Sequence, residues 1–421
     1  MLSREENDLI TRVGPGTPMG ALMRRYWVPA LLSEEIPDPD GAPVRVRLLG
    51  ENLVAFRDSS GRVGLLAEHC SHRGTSLFYG RNEGCGLTCI YHGWKYNIQG
   101  KVLETPAEPA GSTLKDKVRH TAYPCSEAAG LVFAYMGPIE RTPLLPNYEW
   151  MTLPQDHLCI TKSIQDCSYL QGLEGECDSS HLSFLHRAFT ETKRGGGDPD
   201  MYGRDGAPRL EGVETDFGVR MISCRSAGDG LNYLRVSNFV MPCHGFVPTG
   251  GLKGNPEGYT IHSHVPVDDE HALRFNILFR RSRPVSSEEK QLEGGIGSDH
   301  LKVRNIRNDY FQDREEQKRE TFTGMGKQFL IHDSCATESM GPIYDRSKEH
   351  LGAGDIAVIA VRKFLLKSVT ALDMGEEPPH ILRTPEQNDL RHVACIVAKI
   401  DATLDPKIYI QDRIAEMKQT R

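Results

Sequence analysis

Two short pairs of metal-binding side chains constrain this 421-residue chain more than anything else in it. Cys70-Ser71-His72 is followed, after sixteen intervening residues, by Cys89-Ile90-Tyr91-His92. Each pair offers one sulfur and one imidazole from a span short enough for a tight loop. One zinc ion would accept the four ligands in a tetrahedral shell. A two-iron, two-sulfide cluster would accept them differently, with both cysteines on one iron and both histidines on the other. The flanks favour the cluster. Arg73-Gly74 and Gly93-Trp94 follow the two pairs, and glycine lets backbone N–H groups approach cluster sulfurs, while Trp94 is placed to limit solvent. The eleven cysteines are scattered, and Met1-Leu2-Ser3-Arg4-Glu5-Glu6 has no apolar export segment, so the expected setting is a reducing cytoplasm. Unusually spaced cysteines are then metal ligands before they are disulfides. Cys85 fits no fourfold set and is read as a structural thiol; His69 would point away from the site in an extended segment.

The whole run CSHRG…CIYHGWKY resembles the Rieske iron–sulfur signature, with Ser71 where the family commonly has proline. The resemblance implies a [2Fe-2S] cluster held by Cys70, His72, Cys89 and His92.

The texture along the chain divides it into three parts. Residues 1–37 read as helical, with two short helices broken at Gly14-Pro15-Gly16 and with Leu22, Met23, Tyr26 and Trp27 on the second. Residues 38–145 read as short strands separated by glycine-rich turns, a small all-β domain carrying the cluster motif. Residues 146–421 mix both periodicities. A helix is expected over 164–187, strands between 208 and 282, and helices near 311–324, 329–340, 355–369 and 408–418. The expected class is α+β, and the resemblance implies a helix-grip-like catalytic domain, an antiparallel sheet flanked by helices.

A second constellation lies in the larger domain. In Glu174-Gly175-Glu176-Cys177-Asp178-Ser179-Ser180-His181-Leu182-Ser183-Phe184-Leu185-His186, Asp178 and His181 share one side of a helix. His181 and His186 are five apart, which suits one ion only if the helix ends or bulges between them. Downstream of a Rieske motif, the pattern resembles the mononuclear iron motif of Rieske ring-hydroxylating oxygenases. The resemblance makes His181 and His186 iron ligands. Asp178 becomes the carboxylate that links a cluster histidine of one subunit to the iron-binding histidine of its neighbour. The third ligand is expected at Asp333, in a late acid-x4-Glu run ending at Glu338; Asp355 competes but reads better as a helix N-cap. Gly175 stands where the family often has asparagine, so Gln171 or Glu174 is expected to organise nearby hydrogen bonds.

The expected chemistry is a relay. The cluster stores one electron, and a mononuclear Fe(II) with open positions activates O2 beside a substrate. No nucleotide-binding glycine motif is visible, so a separate NAD(P)H-dependent reductase is implied. The chain looks most like the phthalate dioxygenase type of the family. That implies ring hydroxylation or O-demethylation of an aromatic, carboxylated substrate by a homotrimer or stacked trimers. Arg235, on a strand face with Tyr233, Ser237 and Phe239, is the candidate carboxylate partner, ahead of Arg220 and Arg225. The rival reading is a non-catalytic Rieske-type electron carrier with a binding domain. Lys+Arg 50 against Asp+Glu 57 leaves the chain at −7, which argues against a nucleic-acid partner, and no run is long and apolar enough for a membrane span.

Overall fold

The computed structural model describes residues 1–188, 205–248 and 257–419. The chain opens with helix α1 (Arg4–Thr11), capped by Ser3 and Glu6 in a reciprocal box, and α2 (Pro18–Met23), capped by Thr17 with Pro18 at its first position. The second helix ends at Met23, earlier than its apolar pattern suggests. Trp27 opens strand β1 (Trp27–Leu32) instead, because its backbone pairs with a strand more than a hundred residues later.

Three small sheets follow. Strands β2 (Val44–Leu48), β3 (Glu51–Arg57) and β4 (Val63–Ala67) form an antiparallel meander. Next come β5 (Arg81–Glu83), β6 (Gly86–Thr88), β7 (Lys95–Tyr96) and β8 (Val102–Glu104), a second sheet whose loops carry the two Cys/His pairs. Strand β9 (Ala122–Tyr123) returns to β4, while β10 (Cys125–Ala128) and β11 (Leu131–Tyr135) complete a sheet with β1. A separate apolar cluster sits under the Cys/His loops, built from Val54, Phe56, Leu66, Leu77, Leu87 and Tyr96. The metal-binding tip therefore has its own core.

The larger part is one eight-stranded antiparallel sheet. Its strands are β12 (Leu158–Gln165), β13 (Arg209–Glu214), β14 (Gly218–Gly228), β15 (Leu231–Val240), β16 (His244–Pro248), β17 (Tyr259–Pro266), β18 (Ala272–Phe279) and β19 (Ile396–Asp401). In space they run β12-β18-β17-β16-β15-β14-β13, with β19 beside the first half of β15. The alternation in β18 separates two environments. Leu273, Phe275, Ile277 and Phe279 enter the main core, whereas Arg274 points to the other face and meets acids carried by helices.

Those helices are α3 (Tyr169–Cys177), α4 (Phe329–Glu338) and α5 (Ile356–Asp373). The helix expected over 164–187 is shorter than its periodicity: residues through Gln165 belong to β12, and α3 stops at Cys177. The region expected as helix at 311–324 holds only a short helix, Arg314–Arg319, after a 3-10 turn at Ile306–Phe311. Helix α3 lies close on β17, since a Cβ at Gly172 would come within 2.3 Å of His264 Nδ1. Gln171 donates to the carbonyls of Thr337 and Gly341, which fastens α3 to α4. Glu174 takes Arg346 at 2.9 Å and Arg362 at 2.6 Å. Gln171 and Glu174 therefore brace α3 from behind and do not reach His181 or His186.

Candidate functional site: two metal centres

The cluster loops are near copies of each other. In each, the glycine four residues after the cysteine donates its N–H back to the cysteine carbonyl, Gly74 to Cys70 at 2.8 Å and Gly93 to Cys89 at 3.0 Å. Both glycines have positive φ, +78° and +72°, a conformation that costs other residues 1–3 kcal/mol by rough measure. A Cβ at Gly93 would also lie 2.6 Å from Pro106 Cγ. The two turns bring Cys70 and Cys89 together as buried thiols and set the His72 and His92 rings 4.5 Å apart. Burial pushes the Cys89 thiol up.

The donor set fits a two-iron cluster and not one ion. A tetrahedral zinc shell keeps its ligand atoms within about 4 Å of one another. Among the described residues, three or more His, Cys, Asp or Glu ligand atoms fall within 4.8 Å of one another only elsewhere, at His181, His186 and Asp333. The four loop ligands are thus spread wider than a one-ion shell. His72 Nδ1 is buried without a hydrogen-bond partner, an orphan that a metal would satisfy. Trp94 lies flat on His72 at 4.7 Å. Tyr96 donates its hydroxyl to Cys70 Sγ at 3.0 Å, a contact absent from the sequence reading. Ser71, in the usual proline position, donates to His120 Nδ1 at 2.8 Å, while His120 Nε2 donates to the Ala67 carbonyl at 2.9 Å. Burial holds His120 neutral, so the hydroxyl replaces proline's rigidity with a tether. Cys85 contacts Ser60 Oγ at 3.3 Å and is not part of the ligand set.

The second centre depends on a helix that ends on time. Asp178 leaves helical geometry at φ −86°, ψ 117°, and its Oδ1 accepts the N–H of Ser180 at 2.7 Å. Asp-Ser-Ser competes with helix hydrogen bonding in this way. Arg225, fully buried, takes up the slack by donating to the Ser179 carbonyl at 2.5 Å and to Ser179 Oγ at 3.2 Å. The chain then turns through His181–Ser183, and the five-residue spacing that was poor for a helix becomes good for convergence. His181 Nε2 and His186 Nε2 lie 3.2 Å apart. Asp333 Oδ1 is 3.0 Å from His186 Nε2 and 3.9 Å from His181 Nε2. Two imidazoles and one carboxylate thus converge, the donor set of a facial triad for Fe(II) with open positions. Asp355 sits at the cap position before α5.

The charges around this centre are balanced. Burial opposes ionisation of Asp333, but His186, Arg274 and His181 outweigh it and hold its carboxyl well below the usual range. Asp178 Oδ2 stands 3.6 Å from His181 Nδ1, the nitrogen facing away from the triad. Burial opposes the charge on Asp178 too, and its contacts with His181 again win. Helix α4 is fixed at its far end, where buried Glu338 holds Lys302 at 2.6 Å and the Tyr310 hydroxyl at 2.5 Å. Arg274 spans Glu176 at 3.4 Å and the outer oxygen of Asp333 at 3.9 Å. Glu176 is further held by His262 at 2.6 Å and His264 at 3.1 Å. Nothing in the linear sequence singled out Arg274, Glu176 or Lys302; their pairing is visible only across strands.

A small cavity of about 10 Å3, room for about one water, lies beside Asp178, lined by Glu176, Met221, Ser223, Arg235 and Ser237. Arg235 is buried, donates through Nη1 to the Pro248 carbonyl at 3.1 Å, and among the described residues keeps Nε without a partner. Arg220 instead donates to the His392 carbonyl, and Arg225 is committed to Ser179. Their surroundings separate Arg235, the candidate preferred from the sequence, from Arg220 and Arg225.

Comparisons with known proteins agree with this geometry. Residues 26–124 match the family "Rieske [2Fe-2S] domain", and residues 134–414 match "LigXa C-terminal domain like". The chain is 40% identical over 393 residues to the phthalate 4,5-dioxygenase oxygenase subunit of Pseudomonas putida, covering 89% of this chain and 88% of that one. It is 33% identical over 392 residues to the 5,5'-dehydrodivanillate O-demethylase oxygenase subunit of Sphingobium sp. (strain NBRC 103272 / SYK-6), covering 92% and 85%. In fold it resembles the terminal oxygenase of carbazole 1,9a-dioxygenase from Nocardioides aromaticivorans IC177, with a TM-score of 0.56 at 19% identity, covering 86% and 96%. No helix among the described residues is long and apolar enough to cross a membrane. An electron carrier has no use for the second centre, so that rival reading falls. The chain belongs to the Rieske non-haem iron oxygenases, as the oxygenase component that carries a Rieske [2Fe-2S] cluster and a mononuclear iron.

Proposed function

We propose that this oxygenase hydroxylates or O-demethylates a carboxylated aromatic compound. Cys70, His72, Cys89 and His92 hold the cluster, and His181, His186 and Asp333 hold the iron. The observation that carries this reading is the coexistence of a wide two-sulfur, two-imidazole set with a compact triad of two histidines and one carboxylate. When bound, the two groups supply single electrons and O2 activation. The chain's own residues do the rest. Asp178 orients His181 through its outward nitrogen and serves as the electron bridge. Arg235 receives the substrate carboxylate on its free Nε and so turns one carbon of the ring or its methoxy group toward the triad. Against its burial, Glu176 is held well below the usual carboxyl range by its contacts with His262, Arg274 and His264.

The cluster belongs to residues 38–145 and the iron to 146–421, with residues 1–37 tying the two. The support is that β1 joins β11 while Tyr169 of α3 donates its hydroxyl to the Ile10 carbonyl at 2.7 Å. Asp178 is a little over a quarter exposed, which suits a bridge to a neighbouring subunit and therefore a homotrimer or stacked trimers. Electrons come from a separate NAD(P)H-dependent reductase, and nine cysteines outside the cluster set, none in a disulfide, suit a cytoplasmic setting. The names of the relatives, a phthalate dioxygenase and an O-demethylase, support both reaction outcomes.

The test is O2 uptake by the reconstituted protein with a surrogate reductase, across aromatic acids and methoxy-aromatic acids, with identification of diol, phenol or formaldehyde. Arg235→Ala is expected to raise KM for the acid about 10- to 100-fold, the worth of a charged hydrogen bond, with both metals retained. No substrate-dependent uptake with any of these acids would overturn the reading.

A further inference from the structure

The two imidazoles of the triad are backed by unlike partners. Behind His181 stands a carboxylate, Asp178. Behind His186 stands another histidine, His332, whose side chain is buried and which follows Ile331 on the first turns of α4. His332 Nδ1 lies 3.2 Å from His186 Nδ1, and His332 Nε2 lies 3.0 Å from the Gly326 carbonyl. A carbonyl only accepts, so the proton of neutral His332 must sit on Nε2. Its Nδ1 then offers a lone pair, and His186 must donate to it from Nδ1. This leaves the lone pair of His186 on Nε2, the atom 3.2 Å from His181 Nε2 and 3.0 Å from Asp333 Oδ1. Phe329 stacks on the His186 ring at 4.1 Å and 24°, which limits its rotation.

From this chain of contacts we propose that His332 is a positioning residue that fixes the tautomer and the ring angle of His186 for metal binding. It rests on the reading of His181, His186 and Asp333 as iron ligands. The carbonyl of Gly326 fixes the tautomer of His332, and the acceptor this leaves on Nδ1 sets His186. Because imidazole is neutral, this support adds no charge to the centre, whereas Asp178 adds one negative charge behind His181. An unsupported His186 would divide its time between two tautomers, only one of which presents Nε2 to the ion.

The test uses the full chain with its cluster, stripped of mononuclear iron and titrated anaerobically with Fe(II) against a competing chelator. His332→Asn places an amide oxygen where Nδ1 was, so it keeps the acceptor facing His186. His332→Gln places its amide where Nε2 was, keeping the Gly326 contact but not the His186 one. His332→Leu keeps neither. We expect the asparagine variant to bind Fe(II) within about threefold of the parent, and the glutamine and leucine variants to bind about 10- to 100-fold more weakly. Visible bands of Co(II) in the same centre should follow the same division. Cluster absorbance reports folding in every variant; should leucine not fold, the Asn-against-Gln comparison decides. Parent-like Fe(II) affinity in His332→Gln, or equal loss in His332→Asn, overturns the proposal. His186→Ala separates the two levels: if it leaves Fe(II) affinity unchanged, the ligand assignment itself fails and the inference falls with it.

Discussion

The cluster centre and the iron centre solve the same problem by opposite means. The first is local: residues 70–92 fold as two matched loops, and each loop carries its own turn glycine and its own Cys/His pair. The second is assembled: His181 and His186 meet Asp333 only because α3 ends at Cys177 and because α4 is clamped through Glu338. The buried Cys70 sulfur meets the Tyr96 hydroxyl, whereas the triad is framed by Asp178, Arg274 and Glu176. A site that stores an electron can be rigid and nearly self-sufficient. One that must leave positions open for O2 and substrate needs outside elements to hold ligands that would otherwise close around the ion.

The strongest way to break this contrast is to remove ligands separately. His72→Ala should abolish the cluster spectrum while Fe(II) binding at the triad persists, and Asp333→Ala should do the reverse. Metal and sulfide analysis reads both, and joint loss of the two centres in either variant would show that they are not independent. Next in size is Asp178→Asn, which keeps a polar group of the same shape but loses the charge. Turnover should fall on the order of 100-fold with cluster and iron content intact. Normal turnover would remove Asp178 from the bridge.

Acid should distinguish the two regions as well. Burial pushes His244 down to about 3 and His380 down to about 4, and lowers His264, all in the larger domain. The unfolded chain takes up these protons near pH 6.5, so stability is complete above that value and is lost as the pH falls toward the folded values. At pH 5.5, His244 and His380 together should cost about 3 kcal/mol. In the cluster domain burial likewise lowers His120, and this single group should cost less than the pair. Urea unfolding followed by circular dichroism and by cluster absorbance at each pH makes the comparison, and equal losses would erase the distinction. Smallest is Gly93→Ala, expected to cost about 1–3 kcal/mol, for its positive φ and for the contact with Pro106. Thermal bleaching of the cluster should come earlier in this variant, with Fe(II) affinity unchanged.

The difference also explains which parts were legible beforehand. The cluster ligands and their glycines are neighbours in the chain, so spacing and local conformation announce them together. The apolar period through Leu170, Leu173 and Cys177 marked α3 correctly, yet it runs on numerically to His181 and Leu185, where the helix has already ended. The stop comes from Asp178 capturing Ser180 and from Arg225 reaching across to Ser179, and only the local half of that is written in order along the chain. Trp27 looked helical for the same reason: a pairing with β11 decides its conformation, and pairing partners leave no mark on local period.

By itself, the sequence determined the chemistry of this protein, because ligand type and spacing limit which metals can bind and glycines mark where the backbone must turn tightly. Tertiary structure alone decided what holds Arg220 and Arg225 elsewhere, which histidine supports His186, and how Arg274 and Glu176 balance charge beside Asp333. Those choices depend on strand register and helix contact between residues far apart in the chain, and a buried charge is tolerated only where such distant partners arrive to meet it.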